Sequence, residues 1–233
     1  LIPNVMDFAR PPQGIDEYNR DVRSQLGIGE DELLVLQPTR VVQRKGIEQA
    51  IELVARLGRN ARLVISHASG DEGYEYEQRV REFAELLGVH ALFVDEQVDE
   101  QRGTTADGRK VYRLQDLYPH ADLVTYPSLY EGFGNAFLEA VYFRKPLVVN
   151  NYSIYASDIR PKGFRVIEFD NFISAKTVKE TQDLLREPER IRNWVDHNYA
   201  VARRFFSYEV LESRLNTLLG MFYGEGGRSG SGG

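Results

Sequence analysis

The sequence predicts an α/β fold, a doubly wound parallel sheet with helices on both faces. Two patterns predict it. Across residues 31–186, short apolar runs that read as buried strands alternate with stretches whose apolar residues recur at helical spacing. Connections in such an alternating chain are right-handed and stack helices on both faces of one sheet. The chain also lacks any internal repeat of 20–50 residues, which sets aside solenoids and propellers.

The elements follow in order. Residues 15–26 read as a short helix closed by Gly27. Residues 31–37 are a first buried strand, and the helix after Gly46 carries Ile47, Ala50, Ile51, Val54 and Leu57 on one face. Residues 61–66 are a second strand. A charged amphipathic helix follows over 73–87, ended by Gly88, with Phe83, Leu86 and Leu87 expected to turn inward. Residues 91–94 are a third strand. The polar stretch 95–110 is longer than a usual connection, and its charge run reads as solvated. A short helix over 112–118 leads to a strand at 123–126 and a helix over 135–143. Strands at 145–150 and 164–168 complete the sheet. Helical stretches at 174–185, 188–205 and 208–223 finish the chain, with Trp194, Phe205 and Phe206 expected in the core. Leucines 211, 215, 218 and 219 give the last helix an apolar face expected to lack its partner.

Composition narrows the function classes. The 233 residues carry a net charge of −6 and no lysine/arginine stripe, which argues against nucleic acid as a partner. The absence of cysteine excludes a disulfide framework, a cysteine zinc site and a thiol nucleophile, and fits a reducing compartment. No apolar run reaches bilayer-spanning length, and His67, His90, His120 and His197 show no metal-ligand spacing. The chain opens Leu1-Ile2-Pro3 without a methionine, as an excised piece would, and 226–233 reads as a flexible tail or engineered linker.

The chemistry concentrates between the strand 123–126 and the helix after it. Gly132 and Gly134 bracket Phe133 in the turn, where glycine permits a sharp bend and close approach of a ligand. The helix that starts there offers N–H groups and the positive end of its dipole to an anion. Glu131 sits in the loop; Glu139 lies too far into the helix to cap it and calls for a hydroxyl donor. Phosphate on the helix start with hydroxyls on two carboxylates describes a sugar nucleotide. Arg40, Arg44 and Lys45 occupy the loop after the first strand, at the carboxyl edge where parallel sheets bind ligands. His67 follows the second strand at the same edge, and no G-x-G-x-x-G fingerprint is present.

Pro127-Ser128-Leu129-Tyr130-Glu131-Gly132-Phe133-Gly134, followed by Leu138-Glu139-Ala140, resembles the E-x7-E signature of retaining glycosyltransferases of the GT-B fold, in particular glycosyltransferase family 4. Arg40 and Lys45 match that family's Arg-x4-Lys pair. Ile2-Pro3-Asn4-Val5-Met6-Asp7 resembles the segment by which its members pass into their second domain, with Val5 where glycine is usual. Pro119-His120-Ala121-Asp122 matches the approach to the central strand; the loop 95–110, which passes the nucleobase in the family, looks expanded here.

The resemblance implies a Rossmann-like domain, the C-terminal half of a GT-B enzyme. It divides the chain into a lead-in segment at 1–30, a nucleotide-sugar-binding domain at 31–205, a C-terminal helix at 206–223 and a tail at 224–233. The implied function is donor binding for transfer of a hexosyl group from a nucleoside-diphosphate sugar, with the isolated piece inactive in transfer. Arg40 and Lys45 are implied to bind the diphosphate and stabilise the leaving group, and Arg44 to be a solvated neighbour. Gly132, Phe133, Gly134 and Asn135 are implied to position phosphate and sugar. Glu131 takes sugar hydroxyls and is counted with Arg40 and Lys45 as catalytic; Glu139 takes the ribose, and His67 is a further binding candidate. No metal or other cofactor is required. The implied partners are the nucleotide sugar and the absent N-terminal domain, which leaves room for peripheral membrane association; the implied location is cytoplasmic. Two other classes stay open: a binding or scaffold module without catalysis, and a nucleotide-sugar epimerase, against which the pairing of the two motifs speaks.

Overall fold

The computed structural model describes residues 4–69 and 74–223. The expectations that rest on Leu1, Ile2, Pro3, Gly70, Gly73 or the tail lie outside the described residues. In chain order the strands are β1 (Leu33–Gln37), β2 (Ala61–Ile65), β3 (His90–Phe93), β4 (Gly103–Thr104), β5 (Lys110–Val111), β6 (Leu123–Tyr126), β7 (Leu147–Asn150) and β8 (Ile167–Phe169). The α-helices are α1 (Val22–Gln25), α2 (Ile47–Arg56), α3 (Tyr74–Leu86), α4 (Leu114–Leu117), α5 (Asn135–Tyr142), α6 (Ala175–Leu185), α7 (Pro188–Phe206) and α8 (Tyr208–Tyr223). Six strands form one parallel sheet in the order β3-β2-β1-β6-β7-β8, while β4 and β5 make a small antiparallel hairpin. The fold is the doubly wound, Rossmann-like α/β sheet that the alternation predicts.

Side-chain alternation assigns the two cores. Leu34 and Leu36 of β1 join Tyr126, Phe137 and Phe206 on one face. Val35 between them joins Ile47, Ile51, Leu63 and Val178 on the other. Each fully buried side chain of this size contributes roughly 1.5–3 kcal/mol over its exposed state. Phe8, Val22, Leu26 and Ile28, from the lead-in segment, are buried in the first of these cores.

Several local expectations need correction. The helix expected at 15–26 shrinks to α1, because the side chains of Asp16 and Asn19 capture backbone N–H groups of Asp16, Tyr18 and Asn19. Leu86 and Leu87 point outward, at 79% and 38% exposure, because Tyr76, Val80 and Ala84 set the buried face of α3. The stretch 95–110 is no loose loop. It contains the β4–β5 hairpin, Tyr18 donates to the carbonyls of Gly103 and Val111, and Arg102 pairs with Asp16 and the fully buried Asp116. Its charge is therefore only partly solvated. Tyr112 starts no helix; its N–H donates to Gln97 and α4 begins at Leu114. Trp194 and Phe205 are half-buried at the core margin, while Phe206 is inside. Along α8, Leu215, Leu218, Leu219 and Met221 are exposed. Among the described residues no helix is long and apolar enough to cross a membrane.

Candidate functional site

β1 and β6 are neighbours in the sheet, yet β2 and β7 lead away from them in opposite directions. Loops at such a switch point diverge and leave a crevice at the carboxyl ends of the strands. Here two loops meet across it. Gly46 has φ +62°, and a Cβ on it would lie 2.4 Å from the Pro127 carbonyl oxygen. Only glycine allows the loop after β1 to come this close to the loop after β6. The Leu129 N–H donates to the Arg44 carbonyl at 2.8 Å and joins the two. Beneath them, buried Gln37 donates to Thr39 at 2.8 Å and accepts from Thr125 at 2.6 Å, fixing the start of the basic loop.

The crevice is a cleft of about 530 Å³. Arg40, Lys45, His67, Glu131, Gly132, Phe133, Gly134, Asn135 and Glu139 all line it, so the structure brings every sequence-predicted site residue to one place. Arg40 stands exposed at the rim with no carboxylate partner among the described residues. The Lys45 ammonium pairs with Glu131 Oε1 and Arg44 approaches Oε2 at 3.3 Å. Arg44 is therefore not the solvated neighbour expected. Burial lowers the Lys45 ammonium below the ordinary lysine range, with Glu131 working against it. Burial, then the charges of Arg40 and Lys45, lower His67, which shares a 2.7 Å hydrogen bond with Ser66 Oγ. These effects hold His67 neutral at pH 7.

The two glycines of the turn differ. Gly134 has φ +103°, and a Cβ there would meet the hydroxyls of Tyr152 at 2.6 Å and Tyr126 at 3.0 Å. Gly132 has open space where a Cβ would go. Tyr152 also donates to the Phe133 carbonyl at 3.0 Å, which fixes the turn from below. α5 starts after Gly134, and no side chain caps it. Asn135, at its first position, bonds the side chain of Asn4. Four residues on, Glu139 accepts a 3.3 Å hydrogen bond from the fully buried Tyr118 hydroxyl. Burial raises the Glu139 carboxyl above its usual range, against the Tyr118 hydrogen bond. Sequence reasoning missed Thr39, Arg44, Tyr118 and Tyr126. Arg44 carried a signal, since it precedes Lys45 in the same loop; the others are brought in by tertiary packing.

A sequence profile of the family described as "Glycosyl transferases group 1" matches residues 19–200. The chain belongs to the group 1 glycosyl transferases. Mannosylglucosylglycerate synthase of Thermotoga maritima is 33% identical to this glycosyl transferase over 93% of this chain and 55% of its own length. The chain thus spans about half the length of this curated relative. Its fold superposes on Anabaena HepE in complex with UDP-glucose with a TM-score of 0.73, at 17% identity, over 94% of this chain and 57% of that one. It superposes on the C-terminal domain of the group 1 protein LpcC from Francisella tularensis with a TM-score of 0.64, at 14% identity, over 87% of this chain and 99% of that one. These likenesses place this glycosyl transferase chain among GT-B folds.

Proposed function

We propose that the chain is the donor-binding part of a retaining glycosyltransferase of family 4, which moves a hexosyl group from a nucleoside-diphosphate sugar to an acceptor hydroxyl. The observation that carries this reading is the single cleft in which Arg40 and Lys45 face the glycine turn and the start of α5 between Glu131 and Glu139. The complex of Anabaena HepE with UDP-glucose supports a nucleotide sugar as donor.

Arg40 and Lys45 take the diphosphate, Arg40 as a planar fork and Lys45 as a mobile point charge. Backbone N–H groups at the start of α5 add partial positive charge. In transfer, the bond from the anomeric carbon to the diphosphate oxygen breaks, a bond from the acceptor oxygen to the same carbon forms, and the acceptor's hydroxyl proton is released to water. The charge left on the nucleoside diphosphate is stabilised by these same groups, without a metal. Glu131 accepts from sugar hydroxyls and Glu139 from the ribose. They do not act as a glycosidase acid/base pair, because a carboxylate on the ribose is remote from the anomeric carbon. The domain division at residues 30, 205 and 223 belongs to this reading, as does a first domain carrying the acceptor site.

A thermal-shift screen of UDP, GDP and ADP with their hexose conjugates, in EDTA, tests the proposal. Ligand bound only by the folded state raises the apparent melting temperature. A rise with one base family is expected; no rise with any of them would refute donor binding.

A further inference from the structure

Arg44 is the cation of the cleft to which neither motif assigns a task. Its surroundings are specific. The guanidinium lies 3.3 Å from Glu131 Oε2, while the Lys45 ammonium holds Oε1. The Glu131 side chain is only 10% exposed between them. Arg44 also accepts the Leu129 N–H at its own carbonyl, and its guanidinium stands 5.8 Å from the centre of the Tyr130 ring. Leu129, Tyr130 and Glu131 are consecutive, so Arg44 grips this one stretch by backbone, ring and carboxylate.

On the donor-site reading above, on which this inference rests, Lys45 has two anionic claimants: Glu131 and the diphosphate. Its three N–H donors would then be divided between them, which loosens the hold of Lys45 on Glu131. A carboxylate left unpaired in an enclosed site beside a diphosphate would be desolvated and repelled. We propose that Arg44 is a positioning residue for the sugar: it holds Glu131 in place and aimed when Lys45 turns to the diphosphate. Arg44 then determines how strongly the sugar adds to the affinity of the nucleotide.

The readout is the ratio of nucleotide-sugar to nucleoside-diphosphate affinity, measured by calorimetry with UDP and UDP-glucose, GDP and GDP-mannose, or ADP and ADP-glucose, whichever pair the unaltered chain binds. Arg44→Gln lowers that ratio about tenfold, the scale of one hydrogen bond between a charged group and a hydroxyl. Arg44→Met is read beside it, so that a folding failure of one variant does not decide the outcome. Arg44→Lys keeps most of the ratio. In a Glu131→Gln background, Arg44→Gln lowers it no further, because the group it positions is already gone. Equal weakening of both ligands by Arg44→Gln, or an undiminished fall of the ratio in the Glu131→Gln background, would overturn the inference alone. Failure of the unaltered chain to bind any of the six ligands would overturn the donor-site reading and this inference with it.

Discussion

Lys45 and Glu131, 86 positions apart in sequence, form an ion pair at the centre of the cleft. The contact exists because Gly46 lets the loop after β1 press against Pro127. An enclosed pair is weak evidence for stability, since desolvation offsets most of the attraction. It is better evidence for a site at rest: the two groups proposed to hold the diphosphate and the sugar of one ligand hold each other until it arrives.

The turn above that pair predicts a contrast between its two glycines. Gly134→Ala forces a positive φ on an L-residue and drives a Cβ into the hydroxyls of Tyr152 and Tyr126. It should cost about 1–3 kcal/mol of stability in denaturant unfolding. Gly132→Ala meets nothing of the protein and should leave stability within about 0.5 kcal/mol, while weakening nucleotide-sugar binding. Equal destabilisation by both would contradict this account of the turn.

Glu139 predicts a trade of stability for binding. Burial raises its folded-state carboxyl above the unfolded value. The ionised form is therefore disfavoured at neutral pH, and the penalty fades as pH falls through the folded value toward the ordinary range near 4.5. Glu139→Gln should be more stable than the unaltered chain at pH 7.5, and its advantage should shrink near pH 5. The same change should weaken nucleotide binding. Thermal denaturation at the two pH values checks the first part and calorimetry the second; a constant stability difference would remove the burial account.

His67 predicts proton uptake. It is held neutral by burial beside Arg40 and Lys45. A bound diphosphate offsets those charges and raises the imidazole, so binding should draw a proton and tighten as pH falls from 8 to 6. Calorimetry in buffers of different ionisation enthalpy measures the uptake, and His67→Gln should abolish it. Uptake that persists in the variant would assign the proton elsewhere.

Much of this was legible in the chain, and the limits have physical causes. The strand–turn–helix from Leu123 to Tyr142 was readable because apolar run, glycines and helical spacing all agree locally. The basic loop was placed correctly because a parallel sheet gathers such loops at one edge. Residues 15–21 misled because their helical spacing competes with Asp16 and Asn19 side chains that bond the backbone. Leu86 and Leu87 misled because apolar character alone does not tell which face of α3 is buried. Tyr118 was out of reach: its hydroxyl arrives at Glu139 through packing that joins separate elements.

Titration of the nucleoside diphosphates by calorimetry onto the unaltered chain, Arg40→Ala and Lys45→Ala, in EDTA, tests the central claim most directly. One-to-one binding to the unaltered chain is expected, with a loss of roughly 1.5–3 kcal/mol in each variant, the worth of hydrogen bonds to a charged group. Nucleotide binding of unchanged affinity in both variants would contradict it.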